Sequence, residues 1–232
     1  MKKVLVTGAS GEIGTIVRED LAGRCELIPV ARRALPEPAS RRIDIASDYY
    51  AFRDAAEGCD VILHLAYVEE DPATVTNLAM VKNVYRAALE LEPHPRLVMA
   101  SSIHAVGGHL DWSKGRPGVK LADDCRLLPN GIYGAFKCYM EVMGEFHASQ
   151  GLQVVVLRFG GVRCDDRIVD EPGYRSFWLS RRDCAHIISR AIEADLPRKF
   201  VRVFAISDNA DAVHDISGAR ELLGYEPRDG AS

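Results

Sequence analysis

Several features are scarce in this chain of 232 residues. No apolar run approaches the roughly 20 residues that cross a bilayer, so no membrane span is expected. There is no long basic block, and the formal net charge is -4. Nucleic acid and anionic membrane surfaces are therefore not expected partners. The six cysteines, at 25, 59, 125, 138, 164 and 184, include no C-x-x-C pair. That spacing points away from a metal site or a disulfide framework and toward reduced thiols in a cytoplasmic protein. The opening MKKVLVTG has an apolar run too short for a signal peptide. Internal repeats and low-complexity linkers are absent.

What is present is an alternation. Val4-Leu5-Val6 is a short apolar run of the kind a buried parallel strand makes. Ile13, Val17 and Leu21 then fall at helical intervals. Further strands are expected over 26–31, 60–65, 96–100, 153–157 and 200–206. Helices are expected over 49–57, 75–91, 133–150, 182–194 and 216–223. Gly151 stops one long helix and Gly224 the last. Strand and helix alternate throughout, which predicts an α/β fold: a Rossmann-type, doubly wound parallel sheet. A dinucleotide-binding domain over 1–157 is expected. Residues 158–232 should form a small mixed lobe, integrated with it and capping the substrate.

Between the first strand and helix stands TGASGEIG, Thr7 to Gly14. Gly8, Gly11 and Gly14 make G-x-x-G-x-x-G. Glycine permits a tight turn, close approach of a diphosphate to backbone, and close helix–strand contact. The helix N-terminus offers N–H groups and positive dipole to an anion. A plain strand–helix turn would not need three glycines.

The chain resembles the extended short-chain dehydrogenases/reductases, the NAD-dependent epimerase/dehydratase family. The resemblance rests on the glycine loop, on Asp44-Ile45 after the second strand, and on His64-Leu65-Ala66. It also rests on Asn77, Ser101-Ser102, and Tyr133-Gly134-Ala135-Phe136-Lys137, a Y-x-x-x-K. It covers essentially the whole chain. It implies cofactor contacts from Gly8, Ser10, Gly11, Glu12, Ile13, Gly14, Asp44, Ile45, Leu65, Ala66, Asn77, Tyr133 and Lys137. Arg32 and Arg33 follow the second strand, where an arginine accommodates the 2′-phosphate of NADP and an acid would select NAD. NADP is thus the expected cofactor, with NAD as the alternative.

Tyr133 and Lys137 are four apart and share a helix face. A free tyrosine, with a pKa near ~10, is a poor base at neutral pH. A nearby ammonium and a positive nicotinamide should lower that value. By this reading Tyr133 removes the hydroxyl proton, Ser102 orients the reacting oxygen, and Lys137 tunes the phenol and anchors the ribose. Ser101 reads as structural.

Several stretches look like the uronate dehydrogenase group and its archaeal relatives acting on glucose 6-phosphate. These are Ser101-Ser102-Ile103-His104-Ala105-Val106-Gly107, Tyr174-Arg175, Trp178-Leu179-Ser180-Arg181-Arg182-Asp183, and Leu223-Gly224-Tyr225-Glu226-Pro227. That resemblance implies oxidation of the anomeric carbon of an acidic or phosphorylated aldose to a lactone. His104 would touch the sugar, and Arg175 would grip its anionic group. Three positions depart from the group's pattern: Ile103 for an asparagine, Gly160-Gly161 for glycine–serine, and Arg32 for an acid. No metal is implied.

Other residues read as structural. Ser180 to Asp183 has the form of a capping box, and Asp215 of a helix cap. Trp178 reads as core, His64 as packing, and Glu69-Glu70-Asp71 as a solvated loop. Met140, Val142 and Met143, on one of the long helices, suit either core or a homodimer contact. Two other functions fit the motifs. A nucleotide-sugar epimerase, dehydratase or reductase would use the same serine, tyrosine and lysine, but needs a larger C-terminal lobe. A non-catalytic NAD(P)-sensing protein would usually lack the tyrosine or lysine.

Overall fold

The computed structural model describes residues 1–69, 74–110 and 120–232. Glu70 and Asp71 of the acid run lie outside the described residues. Seven parallel strands form one sheet in the order β3-β2-β1-β4-β5-β6-β7. They are β1 (Lys3–Thr7), β2 (Glu26–Ala31), β3 (Arg41–Arg42), β4 (Val61–His64), β5 (Arg96–Ser102), β6 (Val154–Phe159) and β7 (Phe200–Ala205). The helices are α1 (Glu12–Asp20), α2 (Tyr49–Ala56), α3 (Thr74–Glu90), α4 (Ile132–Ser149), α5 (Arg181–Glu193) and α6 (Ser217–Leu223).

Alternate residues of each strand feed two separate cores, as a sheet covered on both faces requires. Val4 and Val6 of β1 pack with Ile16 and Val17 of α1 and Ile187 and Ile188 of α5. Leu5, between them, packs on the other face with Phe52 of α2, Val81 and Tyr85 of α3, and Met140 of α4. Met140 is therefore core, whereas Val142 and Phe146 are more than half exposed on α4.

Strand β1 lies between β2 and β4. The connections leaving it and those leaving β4 run to opposite sides, so the crevice at their carboxyl ends is the switch point where such sheets take ligands. The loops after β1, β4, β5 and β6 all open there.

The region after residue 157 divides differently from the expected lobe. β6 runs on to Phe159, and β7 pairs with it in register from Val154↔Phe200 to Phe159↔Ala205. With α5 these belong to the sheet domain. Only two stretches, about 160–180 and 206–232, stand over the sheet's carboxyl edge. Their apolar residues join the sheet core at Leu179, Ala219, Leu223 and Tyr225, share a cluster with β7 and the turn after β5 (Ile103, Val106, Phe204, Ile206 and Ile216), and form a small one of Tyr174, Trp178 and Ala231. Trp178 is thus core. Ser180 caps α5, its Oγ accepting the Asp183 N–H at 3.0 Å. Asp183 does not complete the box. Its carboxylate instead accepts Ser207 Oγ–H at 2.7 Å and the Arg228 N–H at 2.8 Å. Asp215 accepts the Ser217 N–H at 2.8 Å at the start of α6.

Candidate active site

The crevice is a cleft of about 1290 Å³, long enough for a dinucleotide with a small substrate at one end. Its centre is the glycine loop, where each glycine has a different reason. Gly8 has φ +68°, and a Cβ there would lie 2.6 Å from the Ala66 backbone nitrogen. It lets the β1 and β4 loops meet. A Cβ on Gly14 would overlap the Gly8 carbonyl, so this glycine lets α1 sit on the strand. Gly11 differs: a Cβ would meet only Gly8 O, at 3.4 Å, an ordinary contact. The protein leaves that position open, and it faces the cleft beside Ser10, Glu12 and Ile13. No side chain caps α1, so its first-turn N–H groups remain for a ligand. This is a cradle that fits a diphosphate. The Glu12 carboxylate is engaged by the Cys164 N–H at 2.7 Å, which ties the loop to the segment after β6. That bonding with Cys164 holds its pKa low.

At one end Val30, Ala31, Arg32, Arg33, Ile43, Asp44 and Ile45 line the wall. Arg33 donates to Ser10 O at 2.8 Å and braces the glycine loop. The Arg32 guanidinium has no hydrogen bond or ion pair among the described residues. Asp44 accepts the Ala46 N–H at 3.0 Å, and Asn83 donates to Ile45 O at 2.8 Å. Together they fix the turn that carries this wall.

Beyond the glycines, Leu65 and Ala66 line the floor. Asn77 does not reach the cleft. It is buried and clamps Val68, accepting its N–H at 2.9 Å and donating to its carbonyl at 2.8 Å. It shapes the β4 loop from behind. His64 lies beneath, its Nδ1 2.8 Å from Thr7 Oγ1, and Thr7 Oγ1 accepts the Ala66 N–H at 3.3 Å. Burial, with the Lys137 charge second, pushes the His64 pKa down to about 3, so the ring is neutral.

At the far end β5 and α4 bring Ser102, Tyr133 and Lys137 together. Ser102 Oγ accepts the His104 N–H at 3.2 Å and lies close enough to the Tyr133 hydroxyl to favour its ionised form. Lys137 is buried; its Nζ donates to Ala100 O at 2.6 Å and lies 5.3 Å from the Tyr133 ring centre. Burial pushes Lys137 down to about 7, opposed by the charge of Glu141. The lowered tyrosine value expected from the sequence is not found in the protein alone. Burial raises the Tyr133 pKa, and the Ser102 hydroxyl only partly opposes it. The lysine ammonium is occupied with Ala100 O rather than with the phenol oxygen, so desolvation wins.

Behind this trio Glu141 accepts Arg158 twice, at 3.0 and 2.8 Å, and Ser101 Oγ–H at 2.5 Å. All three are buried. The network locks α4 to the ends of β5 and β6, and so fixes Ser102 relative to Tyr133. Ser101 thus has the structural part its sequence reading gives it, and Glu141 and Arg158 belong to no motif that would single them out.

His104 lines the cleft, with its Nδ1 2.9 Å from Asn130 Oδ1. Its ring meets Tyr133 edge-on at 5.6 Å. Tyr67, which no sequence pattern flagged, meets Tyr133 edge-on at 4.9 Å from the opposite loop. Arg175 does not line the cleft. It is exposed and donates to Ser232 O at 3.1 Å. Its neighbour Tyr174 faces the cleft instead. The two occupy one 3₁₀ turn, Tyr174–Phe177, where successive side chains point about 120° apart. Two further arginines of this region pair away from the cleft. Arg181 pairs with Asp20 at 2.6 Å and Arg182 with Asp229 at 2.5 Å. Arg163 lines the cleft, 3.2 Å from Asp165. Glu69 lines it too.

A doubly wound sheet, an open glycine cradle and a joined serine, tyrosine and lysine define a dinucleotide-dependent oxidoreductase site. The model of the NAD dependent epimerase/dehydratase family matches residues 4–163, and the chain belongs to that family. It is 32% identical to an L-arabinose 1-dehydrogenase (NAD(P)(+)) of Haloferax volcanii, over 100% of this chain and 98% of that one. It is 31% identical to a uronate dehydrogenase of Agrobacterium fabrum, over 100% of this chain and 86% of that one. Among solved structures, a glucuronic acid dehydrogenase from Chromohalobacter salexigens superposes with a TM-score of 0.83. The identity there is 26%, over 99% of this chain and 85% of that one.

Proposed function

We propose that this protein oxidises an aldose at its anomeric carbon and passes the hydride to NAD(P), giving a lactone. The observation that carries the reading is that Ser102 and Tyr133 line one end of a dinucleotide-shaped cleft together, with Lys137 buried beneath. The full-length likeness to sugar 1-dehydrogenases supports the substrate class. When bound, the nicotinamide supplies the hydride acceptor. Tyr133 takes the proton from the anomeric hydroxyl, and Ser102 donates to the same oxygen and holds it in place. Lys137 turns from Ala100 O toward the ribose and the phenol, and its charge then favours the phenolate. Ser102 and Lys137 are buried, while the Tyr133 phenol is the member of the trio open to the cleft.

An acidic or phosphorylated aldose is the first class, and Arg163 is the cation of the capping segment that lines the cleft. A neutral aldose is the second reading, favoured by the outward position of Arg175 and the Arg163–Asp165 pair. NADP is the preferred cofactor, because the unpartnered Arg32 guanidinium fits a 2′-phosphate. Arg32→Ala should cost about tenfold in NADP preference over NAD, read as the ratio of kcat/KM values. The protein acts in the cytoplasm, in keeping with six unpaired thiols. It pairs as a homodimer through the apolar outer face of α4, where Val142 and Phe146 stand one turn apart.

The deciding assay follows absorbance of the reduced nicotinamide with NADP or NAD. The sugars are glucuronate, galacturonate, glucose 6-phosphate, arabinose and glucose. Turnover of any one with lactone as product supports the reading, and no turnover with either cofactor overturns it.

A further inference from the structure

The cleft wall that continues from the end of β6 carries a polar group that no described protein atom uses. Register pairs Ser102 with Phe159, so Gly160 and Gly161 continue directly from the strand beside the catalytic serine. Gly161 bridges to Trp178, and the 174–178 turn lies against it. A Cβ on Gly161 would sit 2.6 Å from Tyr174 Cε2 and 2.8 Å from its hydroxyl oxygen. The backbone at Gly161 is not left-handed, so the residue's glycine identity is set by that ring and not by φ. Tyr174 fills the place that a side chain at 161 would occupy.

The phenol is 7% exposed and lines the cleft. Phe177 holds its ring edge-on at 5.2 Å. Its hydroxyl has no hydrogen-bond partner among the described residues. The ring is nearly buried, but its hydroxyl oxygen is not among the enclosed unpartnered atoms, so it reaches solvent and is open to a ligand's polar group. Here the open direction is the cleft. Oxidation of an aldose requires that its other hydroxyls be distinguished, and a fixed phenol provides one donor and one acceptor for that purpose.

We infer that Tyr174 is a specificity-determining residue. Its hydroxyl hydrogen-bonds a ring hydroxyl of the aldose, in place of any group at position 161. This rests on the sugar reading above. The companion role of Gly161 is to leave the phenol room, so the pair acts as one unit.

The test uses Tyr174→Phe, which keeps the ring and its packing, and Gly161→Ala, which keeps the hydroxyl but displaces it. Each is assayed with the best aldose and with its monodeoxy analogues, alongside NADPH binding by fluorescence. Tyr174→Phe should lower kcat/KM for the aldose about tenfold, mainly through KM. One deoxy analogue should show the same rate with both enzymes, since the partner hydroxyl is already gone. Gly161→Ala should raise KM for the aldose likewise. NADPH affinity should stay within about twofold, which separates lost recognition from misfolding. Equal losses across all analogues, or none, would overturn the role of Tyr174 while leaving the sugar reading intact. A wild-type protein inactive on every aldose would remove the sugar reading and this inference with it.

Discussion

The two walls of the cleft are built in different ways. The glycine cradle of the cofactor wall is local: Thr7 to Gly14 are consecutive, and one strand–turn–helix supplies it. The substrate wall is assembled from Tyr67, His104, Gly161, Arg163 and Tyr174, which come from different loops. A local wall is specified by backbone geometry, since its glycines answer to φ, to an overlap, or to an open space. A composite wall is specified by side chains meeting across long sequence distances. Binding of the dinucleotide should therefore be robust to changes across the cleft, and choice of sugar should be sensitive to them.

The largest expected effect falls at the join between the walls. Tyr133→Phe removes the proton acceptor but keeps the ring between Tyr67 and His104. It should lower kcat by about 10³-fold and leave NADPH affinity within about twofold. A parallel loss of cofactor affinity would mean that the two walls are not separable.

Next comes the cradle itself. Gly11→Val places its branch in space the protein does not use, so thermal stability should fall only by the modest cost of a poorer cap on α1. Cofactor affinity should fall about 100-fold, because the branch stands where a diphosphate approaches backbone. Gly14→Ala is the contrasting change. Its methyl would overlap the Gly8 carbonyl, so stability itself should drop. Titration by NADPH fluorescence and a melting curve for each variant would check the contrast.

The same division explains what could be read without coordinates. β2 was legible to the residue, Glu26–Ala31, because an apolar run bounded by polar residues leaves little choice. α1 begins at Glu12, one residue before the first of its spaced apolar positions, with Gly11 as a cap that offers no side chain. β3 was not legible at all. It is two exposed arginines, Arg41 and Arg42, held by pairing to β2, and carries neither alternation nor hydrophobicity. The glycine loop and the tyrosine and lysine were visible because their spacing is short. Tyr174 and Gly161 were not visible as a pair, since they meet only through the fold. Arg175 stood out by its charge, but a charge in sequence does not say which side of a 3₁₀ turn it takes.

A third prediction concerns the cost of the buried lysine. Burial lowers Lys137 from 10.5 to about 7 in the fold, whereas the unfolded chain keeps the ordinary value near ~10.4. Between these pH values the unfolded state holds one more proton. Stability from this group therefore rises with pH from about 7 toward about 10, by at most about tenfold in the folding constant per pH unit. Lys137→Met should flatten that rise and raise the melting temperature at pH 7 by a few degrees, ~1 kcal/mol or more, while abolishing turnover. His64 acts with the same sign at lower pH. Its folded value of about 3 lies below the ordinary 6.5, so stability is lost as pH falls below about 6.5. Melting curves from pH 4 to 10 would check both limbs, and a flat wild-type profile above pH 7 would contradict the lowered Lys137 pKa.

The smallest expected effect is the sharpest test of the composite wall. Arg175 and Tyr174 are adjacent in sequence, yet one faces solvent and Ser232 while the other faces the cleft. If position within the fold decides function, Arg175→Ala should leave kcat/KM within about twofold for acidic and neutral aldoses alike, as expected for an exposed side chain. Arg163→Ala, on the cleft side, should by contrast weaken an acidic or phosphorylated substrate more than a neutral one. A selective loss for the acidic sugars with Arg175→Ala would mean that the 174–178 turn rotates when substrate binds, exchanging phenol for guanidinium. The wall would then be completed by the sugar itself.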